Sequence, residues 1–158
     1  MANSKKVGAA ALLATVIAIP AEGLRQYAYY DPPGVLTVCY GHTGKDIVKN
    51  RQYSLAECKS LLTAEMAEAV DAVDRCHPNL PVEVLAAFGD AAYNLGSTIA
   101  CDKSKSTAAR YLYQGKLIEA CNQLPNWNKS RIGGVLVPLP GLTTRRSNEK
   151  ELCLRGAA

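Results

Sequence analysis

Residues 22–44 read Glu22-Gly-Leu-Arg-Gln-Tyr-Ala-Tyr-Tyr-Asp31-Pro-Pro-Gly34-Val-Leu-Thr37-Val-Cys-Tyr-Gly41-His42-Thr43-Gly44, and here the chain changes character. Pro32-Pro33-Gly34 is a turn signal, because proline fixes φ and glycine opens conformations closed to other residues. Tyr27, Tyr29 and Tyr30 precede it, and Val35, Leu36, Thr37, Val38, Cys39 and Tyr40 follow it. Aromatic and β-branched residues on both sides of such a turn predict a small hairpin or meander. Gly41 and Gly44 then supply breaks.

Upstream, Lys5 and Lys6 precede Val7 to Ala21, a run of 15 uncharged residues containing Gly8, Thr15, Pro20 and many alanines. As a helix it is about 22 Å long, short of a hydrocarbon core of roughly 30 Å. It reads as a cleaved signal peptide, as the apolar first helix of a soluble fold, or as a marginal membrane anchor able to leave the bilayer. The two lysines would stay on the cytoplasmic side of an anchor.

Downstream the period becomes helical. Ser54 and Glu57 form a capping-box pattern opening a helix of about twenty residues, to near Cys76, with Leu55, Leu61, Leu62, Met66, Ala69, Val70 and Val73 as apolar positions. Pro78 and Pro81 mark a break. Val82 to Leu95 predicts a buried helix ending at Gly96. Thr107 to Tyr113 and Lys116 to Leu124 predict two more, split by Gln114-Gly115. Gly133 to Gly141 reads as an apolar loop, and Thr143 to Leu154 as a final helix. The class is α+β, with the strands gathered near the start.

The chain has 158 residues, 48% of them apolar and 20% charged, which suits one compact globular domain. Its net charge of +4 favours approach to any polyanion, but no long basic run points to nucleic acid. Six cysteines (Cys39, Cys58, Cys76, Cys101, Cys121 and Cys153) form no Cys-x-x-Cys pair, and two histidines are few for a metal site. An even, spread-out set favours up to three disulfides in an oxidising compartment, against buried free thiols in a cytosolic protein. Six cysteines can pair in fifteen ways, and sequence does not choose among them.

Glu22 stands where the apolar segment ends, and Asp31 lies just before the turn. A carboxyl at the end of an apolar helix is a candidate for a raised pKa, since desolvation disfavours its charged form. One on a polar turn stays ionised. Two such carboxyls supply a proton donor and a base, as glycoside hydrolysis requires. The bland alternative is a helix-end Glu and a turn-starting Asp, both merely solvated.

The 22–44 stretch resembles the active-site segment of the phage lysozyme (endolysin) family, which carries Glu, eight residues, Asp (sometimes Cys), five residues, Thr, then Gly-His. Weaker likeness continues through Tyr93-Asn94-Leu-Gly96, Ala120 to Trp127, and Gly141-Leu-Thr-Thr-Arg145-Arg146 with Glu149 and Leu152, covering about residues 20 to 155. The resemblance implies a lysozyme-like fold, in which a long helix joins a small β-containing N-terminal lobe to a helical C-terminal lobe. It implies a muramidase acting on peptidoglycan as a monomer, with no cofactor, metal or nucleic-acid partner. Glu22 would protonate the glycosidic oxygen, Asp31 would orient or deprotonate the attacking water, and Thr37 would help hold that water. Inversion at the anomeric carbon is the expected outcome. Tyr93, Ser106 and Gln123 would line the sugar cleft, Arg145 would pair with Glu22, and His42 would hydrogen-bond structurally. Asn94 reads equally as a cleft residue or as an amide satisfied within its helix, and Trp127 as core.

In that family a helix ends at the catalytic Glu and helps fix it. Cleavage after Ala21 would leave a mobile acid, so retention of the segment is expected. The chain then resembles the signal-anchor-release subclass: residues 1–21 an anchor-like segment, residues 22–158 the muramidase domain. Residues 7–21 would sit in the host inner membrane with the enzyme inactive. On loss of membrane potential they would leave it and fold as the first helix in the periplasm. The segment contains no cysteine, so activation by thiol exchange with it has no support. The expected pairing is Cys39 with Cys58, Cys76 with Cys101, and Cys121 with Cys153. The rival functions are a lytic transglycosylase, which uses one Glu and no base, an inactive wall-binding module, and a chitinase. Asp31 and Thr37 at family spacing argue against the first two.

Overall fold

The computed structural model describes residues 4–158. The elements run α1 (Ser4–Glu22), β1 (Arg25–Tyr30), β2 (Leu36–Cys39), β3 (His42–Thr43), α2 (Leu55–Cys76), α3 (Val82–Leu95), α4 (Thr98–Cys101), α5 (Thr107–Tyr113), α6 (Leu117–Gln123), a 3-10 turn (Leu124–Trp127), β4 (Lys129–Ile132), β5 (Val135–Pro138) and α7 (Pro140–Ala157). The arrangement is α+β and lysozyme-like.

β1, β2 and β3 form an antiparallel sheet in which Tyr29 pairs with Thr37, Tyr30 with Leu36, and Val38 with His42. The turn between β1 and β2 closes with Gly34 N donating to Asp31 O at 2.8 Å. Long α2 leads away from this lobe. Its capping box is complete: Glu57 N donates to Ser54 Oγ at 3.1 Å, and Ser54 N donates to Glu57 Oε2 at 2.7 Å. Two orphan N–H groups of the helix start are thereby satisfied.

α3 is the centre of the molecule, with every residue from Val84 to Ala92 buried. Its small residues let neighbours approach closely. A Cβ built on Gly89 would meet Val70 Cγ2 of α2 at 2.4 Å, so α2 and α3 touch where a larger residue has no room. α1, α2 and α7 all pack on α3. α1 does so through Ala10, Ala11, Ala14 and Ala18, while Leu12 (63% exposed) and Val16 (71%) face outward. Four buried alanine methyls contribute only about 3 kcal/mol at ~0.8 kcal/mol each, so the seam is close-fitting but weakly held.

Disulfides join Cys39 to Cys58, Cys76 to Cys101 and Cys121 to Cys153. They tie β2 to the start of α2, the end of α2 to α4, and α6 to α7.

Two sequence expectations need correction. The segment read as an apolar loop from Gly133 to Gly141 is the second half of a hairpin and the start of α7. Gly133-Gly134 forms its two-residue turn, with φ of +55° and +82°, and Lys129 pairs with Pro138 through to Ile132 with Val135. Positive φ at both turn positions matches the twist of a tight hairpin, and glycine takes it without strain. The strands are therefore not confined to the beginning of the chain.

Candidate active site

Glu22 is the last residue of α1, followed by Gly23 at φ +70°, which ends the helix. Its side chain is 22% exposed and accepts from Arg145 Nη1 at 2.6 Å through Oε1. Its Oε2 faces Gly41, where an added Cβ would stand 3.6 Å away. Gly41 has φ +86°, so the chain passes Glu22 in a conformation that favours glycine.

Arg145 is held from behind. Its Nε and Nη2 donate to Asp90 Oδ2 and Oδ1 at 2.9 and 2.8 Å, a bidentate clamp on a fully buried carboxylate. Such a fork fixes the guanidinium plane as well as its charge. These pairings raise the already high pKa of Arg145 against the opposing effect of burial. From the next residue of α7, Arg146 Nη2 donates to Glu149 Oε1 at 2.6 Å, both side chains being fully buried.

The sheet brings the other expected residues. Asp31 opens the turn, and its Oδ1 accepts from Val35 N at 2.7 Å. Thr37 lies on β2, 4% exposed, and its hydroxyl donates to Val35 O at 3.0 Å. With that proton committed, its oxygen lone pairs remain to accept from water. Cys39, two residues on, is a non-glycine residue at φ +62°, held by its disulfide to α2.

A groove of about 630 Å³ runs beside this site, lined by His42, Thr43, Glu65, Glu68, Tyr93 and Ser97 among others. Tyr93 Oη donates to Glu65 Oε2 at 3.4 Å. Burial raises the Tyr93 pKa, reinforced by the charges of Glu65 and Glu22, so its phenol stays protonated. His42 Nδ1 bonds Glu65 Oε1, and its Nε2 lies 3.0 and 3.1 Å from the Asp46 carboxylate. Burial pulls the His42 pKa down, but the bonds to Glu65 and Asp46 outweigh it and the net shift is upward.

Ser106 does not line a cleft. It is fully buried, its hydroxyl donates to Ile99 O at 2.6 Å, and it accepts from Ala109 N at 3.1 Å as the N-cap of α5. A hydroxyl so used has no face for a sugar, and the Ser-x-x pattern ahead of a helix carries that signal. Gln123, at the end of α6, accepts from Asn126 Nδ2 at 3.1 Å. Asn94 Oδ1 is buried without a hydrogen-bond partner. Trp127 packs against the core.

Sequence reasoning missed Asp90 and Glu65. Asp90 had a signal, as the only charged residue between Glu83 and Asp102 in a strongly apolar run. A charge there must be paired.

The phage lysozyme family model matches residues 20–149. The SAR-endolysin of Enterobacteria phage P21 is 36% identical over 155 residues, covering 94% of this chain and 90% of its own. Among solved structures, the muramidase domain of SpmX from Asticaccaulis excentricus superposes with a TM-score of 0.78 at 26% identity, over 90% of this chain and 95% of that one. The active form of the P1 phage endolysin Lyz gives 0.75 at 25% identity, over 92% and 85%. With the fold and the matched residues in agreement, the chain belongs to the phage lysozyme family and is a lysozyme of the endolysin type.

Proposed function

We propose that the enzyme hydrolyses the β-1,4 bond between N-acetylmuramic acid and N-acetylglucosamine in bacterial peptidoglycan, with Glu22 as general acid. The observation that carries this is the seat of Glu22: fixed at a helix end, gripped by Arg145 on one oxygen, and open on the side facing Gly41 and the sheet. Asp31 and Thr37, on the hairpin of the same lobe, orient and deprotonate the attacking water. Asp31 keeps Oδ1 on Val35 N, which leaves Oδ2 for that water. Inversion at the anomeric carbon follows if water stands between Asp31 and the sugar. Tyr93, with its protonated phenol beside the groove, and Gln123 contact the glycan.

The test is mass spectrometry of soluble products from purified peptidoglycan, comparing wild type with Glu22→Gln and Asp31→Asn. Reducing muropeptides from wild type, lost in both variants, are expected. Anhydro-muropeptides with Asp31→Asn still active would replace hydrolysis by transglycosylation.

The N-terminal helix supports a second element of the proposal. α1 is long and apolar enough to cross a membrane by length and composition, yet 39% of its most apolar window is buried in the fold. Residues 7–21 hold the chain in the host inner membrane with Glu22 at the bilayer surface, and the enzyme becomes active when α1 leaves the lipid and docks on α3 in the periplasm. Fractionation tests this: intact enzyme should move to the soluble periplasmic fraction after depolarisation. Enzyme that stays with the membrane, or is soluble from the outset, would sink it.

A further inference from the structure

Behind Glu22 lies a cluster of buried charge that the proposed reaction does not itself use. Asp90, Arg146 and Glu149 are each 0% exposed, and Arg145 is 4% exposed. Each Asp90 oxygen accepts one hydrogen bond from Arg145, and Glu149 Oε1 accepts one from Arg146. Among the described residues, the second Glu149 oxygen, Oε2, is buried without a hydrogen-bond partner, as is Arg146 Nε. Besides Arg146, the polar group beside this carboxyl is Asp90, itself an acceptor.

Two acceptors facing each other in the interior are unfavourable unless a proton stands between them. The local charges agree. An ionised Glu149 would set a second buried negative charge against Asp90, and several kcal/mol is the usual order of such a penalty.

We infer that Glu149 is a protonated positioning residue: its carboxyl donates a hydrogen bond to Asp90, which aligns Arg145, which in turn holds Glu22. Burial, followed by the neighbouring Asp90 charge, pushes the Glu149 pKa well up, and Arg146 pulls against them without prevailing. The role rests on the assignment of Glu22 above; the protonation state does not.

The groups that face Glu149 are few. α3 contributes Asp90. α7 contributes Arg146, and Arg145 through Asp90. The 3-10 turn contributes the Trp127 carbonyl, which accepts from Arg146 Nη1 at 3.4 Å. α6 brings Cys121, held with Cys153 in a disulfide and unable to titrate. α1 contributes Glu22, on the far side of Arg145. As pH rises and Glu149 loses its proton, two carboxylates confront each other, Asp90 shifts, and Arg145 loses its alignment on Glu22.

The experiment pairs an infrared measurement with a pH profile. Wild type near neutral pH should show a carbonyl stretch of a protonated carboxylic acid that Glu149→Gln lacks, over and above any band from the general acid Glu22. The glutamine keeps an acceptor for Arg146 and supplies a donor to Asp90. Glu149→Gln should therefore fold with the wild-type melting temperature and keep wild-type kcat near neutrality. On the alkaline side both proteins lose kcat by about tenfold per pH unit as the general acid Glu22 ionises, and wild type should fall more steeply than Glu149→Gln once Glu149 also loses its proton. Glu149→Leu, which offers Asp90 no donor, should lose kcat while KM holds. No carboxylic-acid band in wild type, a Glu149→Gln protein that unfolds or loses activity at neutral pH, or an unchanged alkaline limb would each overturn the inference. If Glu22→Gln proved fully active, the role of Glu22 would fall while the infrared band stood.

Discussion

Arg145 is clamped between Asp90 and Glu22 with 3% of its side chain exposed, whereas Asp46, at the outer end of the His42 chain, is 66% exposed. Both networks join acids to a basic side chain, across 55 and 123 residues in the first and across 23 and 4 in the second. They differ in access to water. In the buried network, removing one partner strands a charge that nothing else can solvate. In the open one, water replaces a lost partner and side-chain entropy offsets much of the gain. Contacts of similar length therefore carry different energetic weight. The precise hold on Glu22 belongs to the side that excludes water.

The sharpest way to break this contrast is Asp90→Asn. The substitution keeps shape and removes one charge of the clamp, leaving Arg145 only Glu22 as an anionic partner. Urea unfolding should show a loss of about 3–5 kcal/mol, with kcat falling as well. A loss under about 1 kcal/mol would mean that the buried clamp behaves like a surface pair.

Gly41→Ala probes the point where Glu22 meets the sheet. At φ +86° alanine is strained by about 1–2 kcal/mol, and its methyl would sit beside Glu22 Oε2. Activity should drop more than the melting temperature does. Equal small losses would show that the approach at Gly41 is a matter of turn geometry alone.

The smallest effect lies in the open network. The raised His42 pKa means the folded state binds its proton more tightly than the unfolded state. That contribution is fully present below about pH 6.5 and is lost as pH rises through the folded value. It should amount to less than about 1 kcal/mol, and His42→Gln should remove it. His77 works in the opposite sense. Burial lowers its pKa, with its bond to Ala100 O opposing, so stability falls as pH drops below about 6.5. Denaturation midpoints across this range in His42→Gln and in wild type separate the two.

What could be read from sequence was local. Glu22, Asp31 and Thr37 lie within 16 residues of one another, and the turn that groups them is written in Pro32-Pro33-Gly34. The α2 start was equally plain, because a capping box is complete within four residues. Asp90 and Arg145 are 55 residues apart and His42 and Glu65 are 23 apart, so their partnerships arise only from helix packing. The β4–β5 hairpin escaped because its Gly133-Gly134 turn sits among prolines and apolar residues that also suit a loop. Ser106 went astray for another reason: family position assigned it to the cleft, whereas its own neighbours use the hydroxyl as a cap.

The three disulfides span residues 39 to 153, and the first 38 residues contain no cysteine. Oxidation therefore staples β2, α2 and α4 into one unit and α6 and α7 into a second, and it places no cross-link on α1. In binding terms α1 is a tethered ligand, and the slot on α2, α3 and α7 is its receptor. The short link through Gly23 sets its effective concentration. An empty slot costs the stapled receptor none of its cross-links. Because Glu22, the proposed general acid, is the last residue of that ligand, under that assignment slot occupancy and active-site assembly are one variable, and activity should follow a saturation curve in docked α1.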